Sequence, residues 1–348
     1  MRATGRFLTA IAGLALAVGA ASPVAAGPGH DRGHDTTIVW SRFNRQGTSA
    51  QIVSADPDGR HVRTLTHPGR DVFDFGPVIS PDGGRMVFER NRADGVDIAL
   101  VDADGQHERV IDLGCADPCA DDVAPSWTHD GRRVVFSRIV GPFDLVNESA
   151  HSAVLHTANG DGTDVRRLSE PGIDGVYEDY HASFSADGSF LTFVRVRNAD
   201  IRSAIFRMDA DGTDVGQLTP WELDADLPVL SLATRGPTKD MVVFETFGHG
   251  TPEGSTQNVA TVPATCASLA DCSARISYVT DNGAGPEESF NPSWSPDGRR
   301  IVYVEFTPGD ESHPPSGDIW TVRPDGRGAQ PVSLSRRFEF GPDWGPAR

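Results

Sequence analysis

Lysine is all but missing from this chain: Lys239 is the only one, in a protein whose formal net charge is −18 at pH 7. A shell that acidic repels phosphate, which argues against nucleic acid and anionic membrane as partners and leaves cations, basic proteins or neutral ligands. Long apolar runs are missing beyond the first residues, and no later stretch reaches the ~18 consecutive apolar residues of a membrane-spanning helix. No amphipathic helical period follows the leader; apolar residues alternate over short runs broken by Gly, Pro, Asn and Asp, so the chain reads as all-β. The G-x-S-x-G turn of α/β-hydrolases is absent, which removes that peptidase chemistry. Cysteine is scarce, with four residues in two tight pairs, Cys115 with Cys119 and Cys266 with Cys272. Their C-x3-C and C-x5-C spacings suit local disulfides better than a shared zinc, and disulfides belong to an exported protein.

What is present begins with a leader. Arg2 and Arg6 precede an apolar run from Phe7 to Val18 and small residues ending at Ala25 and Ala26. That order predicts a signal peptide over residues 1–26, and residues 27–35 read as a flexible tail. The expected location is secreted, extracellular or in the cell envelope. His30 and His34 in the tail are two histidines among Gly and Asp, a weak metal pattern.

From residue 36 to 348 one pattern recurs. FNPSWSPDGRRIVYVE at Phe290–Glu305 has counterparts at Phe75–Glu89, Ala124–Ser137 and Tyr180–Val194. Each is a short strand, an Asp-Gly turn and a second strand of β-branched and aromatic residues. The second strand aligns Trp40, Phe88, Phe136, Phe193, Phe244 and Tyr303 at one position. A third strand and a fourth follow, joined in five units by turns such as DADG at Asp102–Gly105 and Asp209–Gly212. Copies of the first strand carry an apolar residue two places after a proline or its equivalent: Ile79, Trp127, Phe184, Leu230, Trp294 and Trp344. The last copy, near the C-terminus, has no second strand after it, and the unit at Thr37 has no first strand before it. The expected architecture is a six-bladed β-propeller of four-stranded blades, closed when the C-terminal strand completes the N-terminal blade.

The repeat resembles the WD40-like PD40 repeat of TolB-type six-bladed propellers, through SPDG at Ser80–Gly83 and Ser295–Gly298 and the later PDG and DADG turns. The resemblance implies the propeller fold over residues 36–348 and does not specify an activity. TolB itself carries a separate N-terminal α/β domain that this chain lacks.

Counted back three or four residues from the strand proline or its equivalent, every unit has a carboxylate: Asp74, Asp121 with Asp122, Glu178 with Asp179, Asp224, Glu288 and Glu339. On the connections into the first strands these would form an acidic ring at one mouth of the channel, with His181 beside them. Like charges so gathered raise one another's pKa or recruit a cation. The expected ligand is a protein or peptide, basic ones included, held by a monomer without a membrane span. A calcium ion at the mouth is the only cofactor the pattern suggests, because the Asp-rich turns lack the Gly and Glu placement of an EF-hand and read as hairpin turns. The alternative is a carbohydrate- or peptide-active hydrolase or lyase that uses the same carboxylates. The long connections Ile139–His151, Phe247–Thr256 and Phe306–Gly317 open on that mouth, and His151 and His156 lie in the third unit.

Overall fold

The computed structural model describes residues 35–115, 119–141, 152–170, 176–247, 257–283, 287–309, 315–335 and 337–348. The leader, the tail with His30 and His34, His151 and much of the three long connections lie outside them. Among the described residues the protein is all-β apart from a turn of 3-10 helix at Trp221–Leu223 and one short helix, α1 (Leu269–Ala274). That helix corrects the expectation of no helix after the leader. It stands where the other units have a turn between third and fourth strands, Ser268 caps its first turn by accepting from the Asp271 amide, and the Cys266–Cys272 disulfide ties it down.

The strands fall into antiparallel quartets. The first is β1 (Thr36–Phe43), β2 (Ala50–Ala55) and β3 (Arg63–Thr64), with β24 (Glu339–Pro346) paired to the free edge of β1. The second is β4 (Phe73–Ile79), β5 (Arg85–Arg92), β6 (Gly95–Asp102) and β7 (Arg109–Val110). A single parallel bridge, Ala50 to Phe73, joins these two into one eight-stranded sheet. Four separate four-stranded sheets complete the fold. The third quartet is β8 (Cys119–Trp127), β9 (Arg133–Val140), β10 (Ser152–Asn159) and β11 (Arg166–Arg167). The fourth is β12 (Tyr177–Phe184), β13 (Phe190–Arg197), β14 (Arg202–Asp209) and β15 (Gly216–Gln217). The fifth is β16 (Ala225–Leu230), β17 (Met241–Thr246), β18 (Asn258–Pro263) and β19 (Ser277–Tyr278). The sixth is β20 (Glu288–Trp294), β21 (Ile301–Thr307), β22 (Ser316–Val322) and β23 (Gln330–Pro331).

The core lies between quartets. One cluster joins Val39 and Ile52 of the first to Met86 and Phe88 of the second. Others join Val87 to Trp127, Val135 to Phe184, Phe190 to Leu230, and Val243 to Trp294. The last puts Val302 and Ile319 of the sixth quartet against Trp40 and Trp344 of the first. Five of the aligned aromatics, Trp40, Phe88, Phe136, Phe193 and Phe244, are the largest side chains that are wholly buried. At about 1.5–3 kcal/mol per buried large apolar side chain, they are the main attraction between neighbouring sheets. Two of the tryptophans that follow the strand proline add a directional bond across the seam through the indole N–H, Trp127 to the Val78 carbonyl at 3.0 Å and Trp294 to the Val229 carbonyl at 3.1 Å.

The SPDG segments are turns. Ser80 Oγ and the Gly84 amide both donate to Asp82 at 2.7 and 3.0 Å, the Gly83 amide closes on the Ser80 carbonyl, and Gly83 takes a φ of 70°. In the Asp209–Gly212 turn the Thr213 amide and hydroxyl occupy Asp211 in the same way. These carboxylates are bonded to their own backbone, the use expected of an Asp-Gly hairpin.

Candidate functional site

The first strands of consecutive quartets touch one another in series, β4 with β8, β8 with β12, β12 with β16, β16 with β20, β20 with β24 and β24 with β4. Each of the six carries a bulge just before its proline or proline equivalent, at Gly76, Ala124, His181, Leu227, Asn291 and Gly341, with φ between 49° and 58°. Register shifts mark the same places. A bulge leaves its amide unpaired in the ladder. Four of these amides find acceptors: Ala124 donates to Glu89 of the second quartet at 2.6 Å, Leu227 to Asp226 at 2.7 Å, Asn291 to Glu245 of the fifth at 2.8 Å, and Gly341 to the Asn291 side chain at 3.1 Å.

The eight carboxylates among the expected site residues divide by the two-residue period of a strand. Counting back three residues gives one set, counting back four gives another, and their side chains take opposite directions. In the first set Asp74, Asp122, Asp179 and Glu339 sit on the strands themselves, almost completely buried, each gripping an arginine of the next strand. Asp74 holds Arg90 at 2.7 and 2.8 Å, Asp122 holds Arg138 at 2.8 and 2.9 Å, and Asp179 holds Arg195 at 2.7 and 2.9 Å. Glu339 pairs with Arg42 and takes hydroxyls from Ser333 and Ser335. The expected open ring of carboxylates on connections is corrected here: these four are internal ion pairs, because a carboxylate facing inward on a strand must be neutralised.

In the second set Asp121, Asp224 and Glu288 lie half-buried at the rim, while Glu178 is buried. Asp121 accepts from the Val96 amide at 2.8 Å, and Asp224 accepts from the Ser203 amide and hydroxyl at 3.0 Å, so each ties down the preceding quartet. Burial and the neighbouring Asp122 push the Asp121 carboxyl up. Glu178 takes the Tyr180 hydroxyl at 2.9 Å. Glu288 opens β20 opposite Phe306. His181 occupies its bulge close to Glu89 and Asp226. His156 stacks on Phe136 at 5.8 Å, its Nδ1 lies 2.9 Å from the Val154 carbonyl, and burial lowers its pKa.

Sequence reasoning missed Glu89, Asp226, Glu245, Glu305 and Asp318. They lie outside the counted positions, and for the four in the fifth and sixth units a signal was available in a different form: in the alignment of second strands, Arg42, Arg90, Arg138 and Arg195 give way to Thr246 in the fifth unit and Glu305 in the sixth. Asp226 and Glu245 face one another across β16 and β17 and are only 3% and 2% exposed. Burial and the nearby Asp226 push the Glu245 carboxyl up to about 8, and burial likewise raises Asp226 and Glu89. Glu305 and Asp318 face one another across β21 and β22; burial raises both, Asp318 to about 6.

A carboxyl whose pKa is higher in the native than in the unfolded protein binds its proton more tightly when folded. Its contribution is present below the ordinary value near 4.5 and is lost as pH rises through about 8. Melting temperature should therefore fall more steeply between pH 5 and 9 in the wild type than in Glu245→Gln, with the variant the more stable at pH 9. Parallel melting curves would show that Glu245 titrates as it does in the unfolded chain.

Phenylalanines gather where β1, β4 and β24 meet. Phe75 and Phe340 meet edge to face at 4.7 Å, and Phe43, Phe73 and Phe338 pack around them at 5.6 to 6.1 Å. Phe306 extends the group from the sixth quartet at 6.1 Å from Phe338.

The Cys115–Cys119 disulfide stands at the start of β8, on this rim, and Cys266–Cys272 tethers α1; both expected pairings form. Among the described residues, one trio of metal-ligand type gathers within 4.8 Å, Cys115, Cys119 and Asp122. Its sulfurs are bonded to each other and its carboxylate is bonded to Arg138, which leaves no ligand for an ion.

TolB from Acinetobacter baumannii superposes on 89% of this chain with a TM-score of 0.64 and 19% identity, and a protein described as TolB from Agrobacterium tumefaciens on 90% with 0.58 and 17%. The fold is that of the TolB-type β-propeller. The chain spans 66% of the Acinetobacter TolB and 99% of the Agrobacterium protein. A chain of the nidogen/laminin complex aligns over 90% of this chain and 99% of its own, with a TM-score of 0.60 and 11% identity. At such identities the likeness to TolB-type propellers is one of fold. No protein-family model matches the sequence, and no curated protein does. Among the described residues, no helix is long and apolar enough to cross a membrane.

Proposed function

We propose that the chain is an exported, monomeric β-propeller that binds a polypeptide partner at the mouth where its inner strands begin. The six quartets are six blades of a ring, which β24 closes by completing the blade that β1 opens. Support for the ring comes from the apolar clusters, which join each quartet to the next and the sixth to the first. Two disulfides fit an oxidising compartment.

The observation that carries the binding reading is the two-sided mouth. The sixth, first and second blades contribute the phenylalanine cluster, and the fifth and sixth contribute carboxylates without arginine partners. An aromatic face beside carboxylates suits a segment that combines apolar with basic residues, since aromatic rings supply buried area and the acids supply direction. The TolB-type and nidogen/laminin neighbours favour a protein partner.

Selection of a random dodecapeptide display library on the whole protein tests this. Peptides should be enriched, and their affinity should fall at least tenfold in the Phe75→Ala, Phe340→Ala double variant, with circular dichroism confirming that it folds. No enrichment, or affinities indifferent to the double change, would end the reading.

A further inference from the structure

The connection from β23 to β24 and the turn after β1 come together at the mouth of the first blade. Arg42 faces Glu339 in the last pairing of β1 with β24, and the Phe43 amide continues the ladder to the Phe338 carbonyl at 3.0 Å, which brings Arg337 beside the turn that follows Phe43. That turn is braced. Asn44 Oδ1 accepts from the Gln46 and Thr48 amides at 3.1 and 2.9 Å, its Nδ2 donates to the Thr48 and Ser49 hydroxyls, and Gly47 takes a φ of 67°. Arg45 stands exposed in this turn, while Arg337 is half-buried and fixed through its amide, which donates to Ser335 Oγ at 3.3 Å.

Three guanidiniums share this corner, and only that of Arg42 has a carboxylate. Glu339, wholly buried, is taken up by Arg42 and by the Ser333 and Ser335 hydroxyls. Asp71, tied to the turn by its amide bond to the Thr48 carbonyl, has Arg70 at 3.6 Å. Among the described residues neither Arg45 nor Arg337 has an ion-pair partner, unlike Arg42, Arg90, Arg138 and Arg195. Burial and the neighbouring Arg42 and Arg45 push the Arg337 guanidinium below its ordinary pKa, against the pull of Glu339. In a protein of net charge −18, neighbouring arginines without a counter-charge mark a place for an anion supplied from outside. Leu334, in the same connection, is 66% exposed, the most exposed large apolar side chain among the described residues. Phe338 points away from Glu339 into the phenylalanine cluster, so cations and rings border the mouth on the two sides of one strand end.

We infer that Arg45 and Arg337 receive a carboxylate of the bound polypeptide, from an Asp or Glu side chain or from its C-terminus, with an apolar neighbour on Leu334. The subsite rests on the polypeptide-binding reading and adds to it an anion-specific contact and a direction, with basic residues toward the fifth and sixth blades and the carboxylate at the first. The planar fork of a guanidinium pairs with a carboxylate through two parallel bonds, which gives the contact geometry as well as charge.

The test takes the peptides selected from the dodecapeptide library, replaces each Asp by Asn and each Glu by Gln one at a time, and separately amidates the C-terminus. In the wild type one of these neutralisations should cost at least about tenfold in affinity, the scale of a charge-assisted hydrogen bond, and which one it is tells a side-chain from a terminal carboxylate. In Arg45→Gln, Arg337→Gln the cost should shrink to less than about threefold, while the melting temperature does not fall, because neither side chain has an ion-pair partner to lose. Arg45→Gln alone, in an exposed turn, should remove part of the cost. Affinities indifferent to every neutralisation, or a penalty that survives the double change, would overturn the subsite and leave the mouth reading standing. Failure to select any peptide would overturn both.

Discussion

A chain ending before Phe338 is expected not to fold as a monomer. The deletion removes β24, which pairs along β1 from Thr36 to Arg42, and with it Trp344, buried between the sixth and first blades. It also removes Asp343, which accepts from the Ile79 amide at 2.8 Å and from Ser293 Oγ at 2.6 Å and so links three blades. Loss of a buried tryptophan alone costs about 3–5 kcal/mol, and a missing strand adds its hydrogen bonds and leaves an open edge on β1. The sum reaches the ~5–15 kcal/mol that holds an average protein together. The truncated protein should elute as oligomer or aggregate and show no cooperative melt, and a peptide covering residues 338–348 should restore part of the transition. A monomer with an unchanged melting temperature would mean that β24 does not close the ring.

Arg195→Met is expected to have the second largest effect. Asp179 has no exposed side-chain surface, and the two-bond grip of Arg195 is its neutralising partner. The arginine also lies over Phe193 and Phe206 at 5.3 and 5.1 Å. Breaking a buried pair by removing one partner costs about 3–5 kcal/mol, chiefly because the other charge stays buried. Adding Asp179→Leu should recover at least half of that loss, since an apolar pair of similar volume fills the site without the desolvation penalty. The readout is a double-mutant cycle of melting and urea curves at pH 7. Equal losses in the single and double variants would mean that packing, not charge, dominates at this position.

The repeat told most of the fold because turns and buried strands leave strong local traces. Asp-Gly turns mark the ends of the strands, and the aligned Trp40, Phe88 and Phe136 are the side chains buried between sheets. The short helix α1 escaped because it is only six residues long and replaces a turn. Which of the counted carboxylates share an environment was not legible. A strand reverses its side chains every residue, so Asp121 and Asp122, adjacent in sequence, belong to different environments: one caps the neighbouring quartet and the other is buried on Arg138. Pooling positions three and four residues before the proline merged the two. The bulges were invisible for another reason. Gly76, Ala124, His181, Leu227, Asn291 and Gly341 share a left-handed backbone but no residue type, so tertiary contacts and not local preference impose the conformation. The signal that could have located the acidic sector was an absence, the arginine missing from two second strands of six.

The most direct test of binding at the mouth is a crystal structure of the protein with a library-selected peptide. The peptide should lie across Phe75 and Phe340. A peptide seated on the outer strands or on the face of the Asp-Gly turns would contradict it.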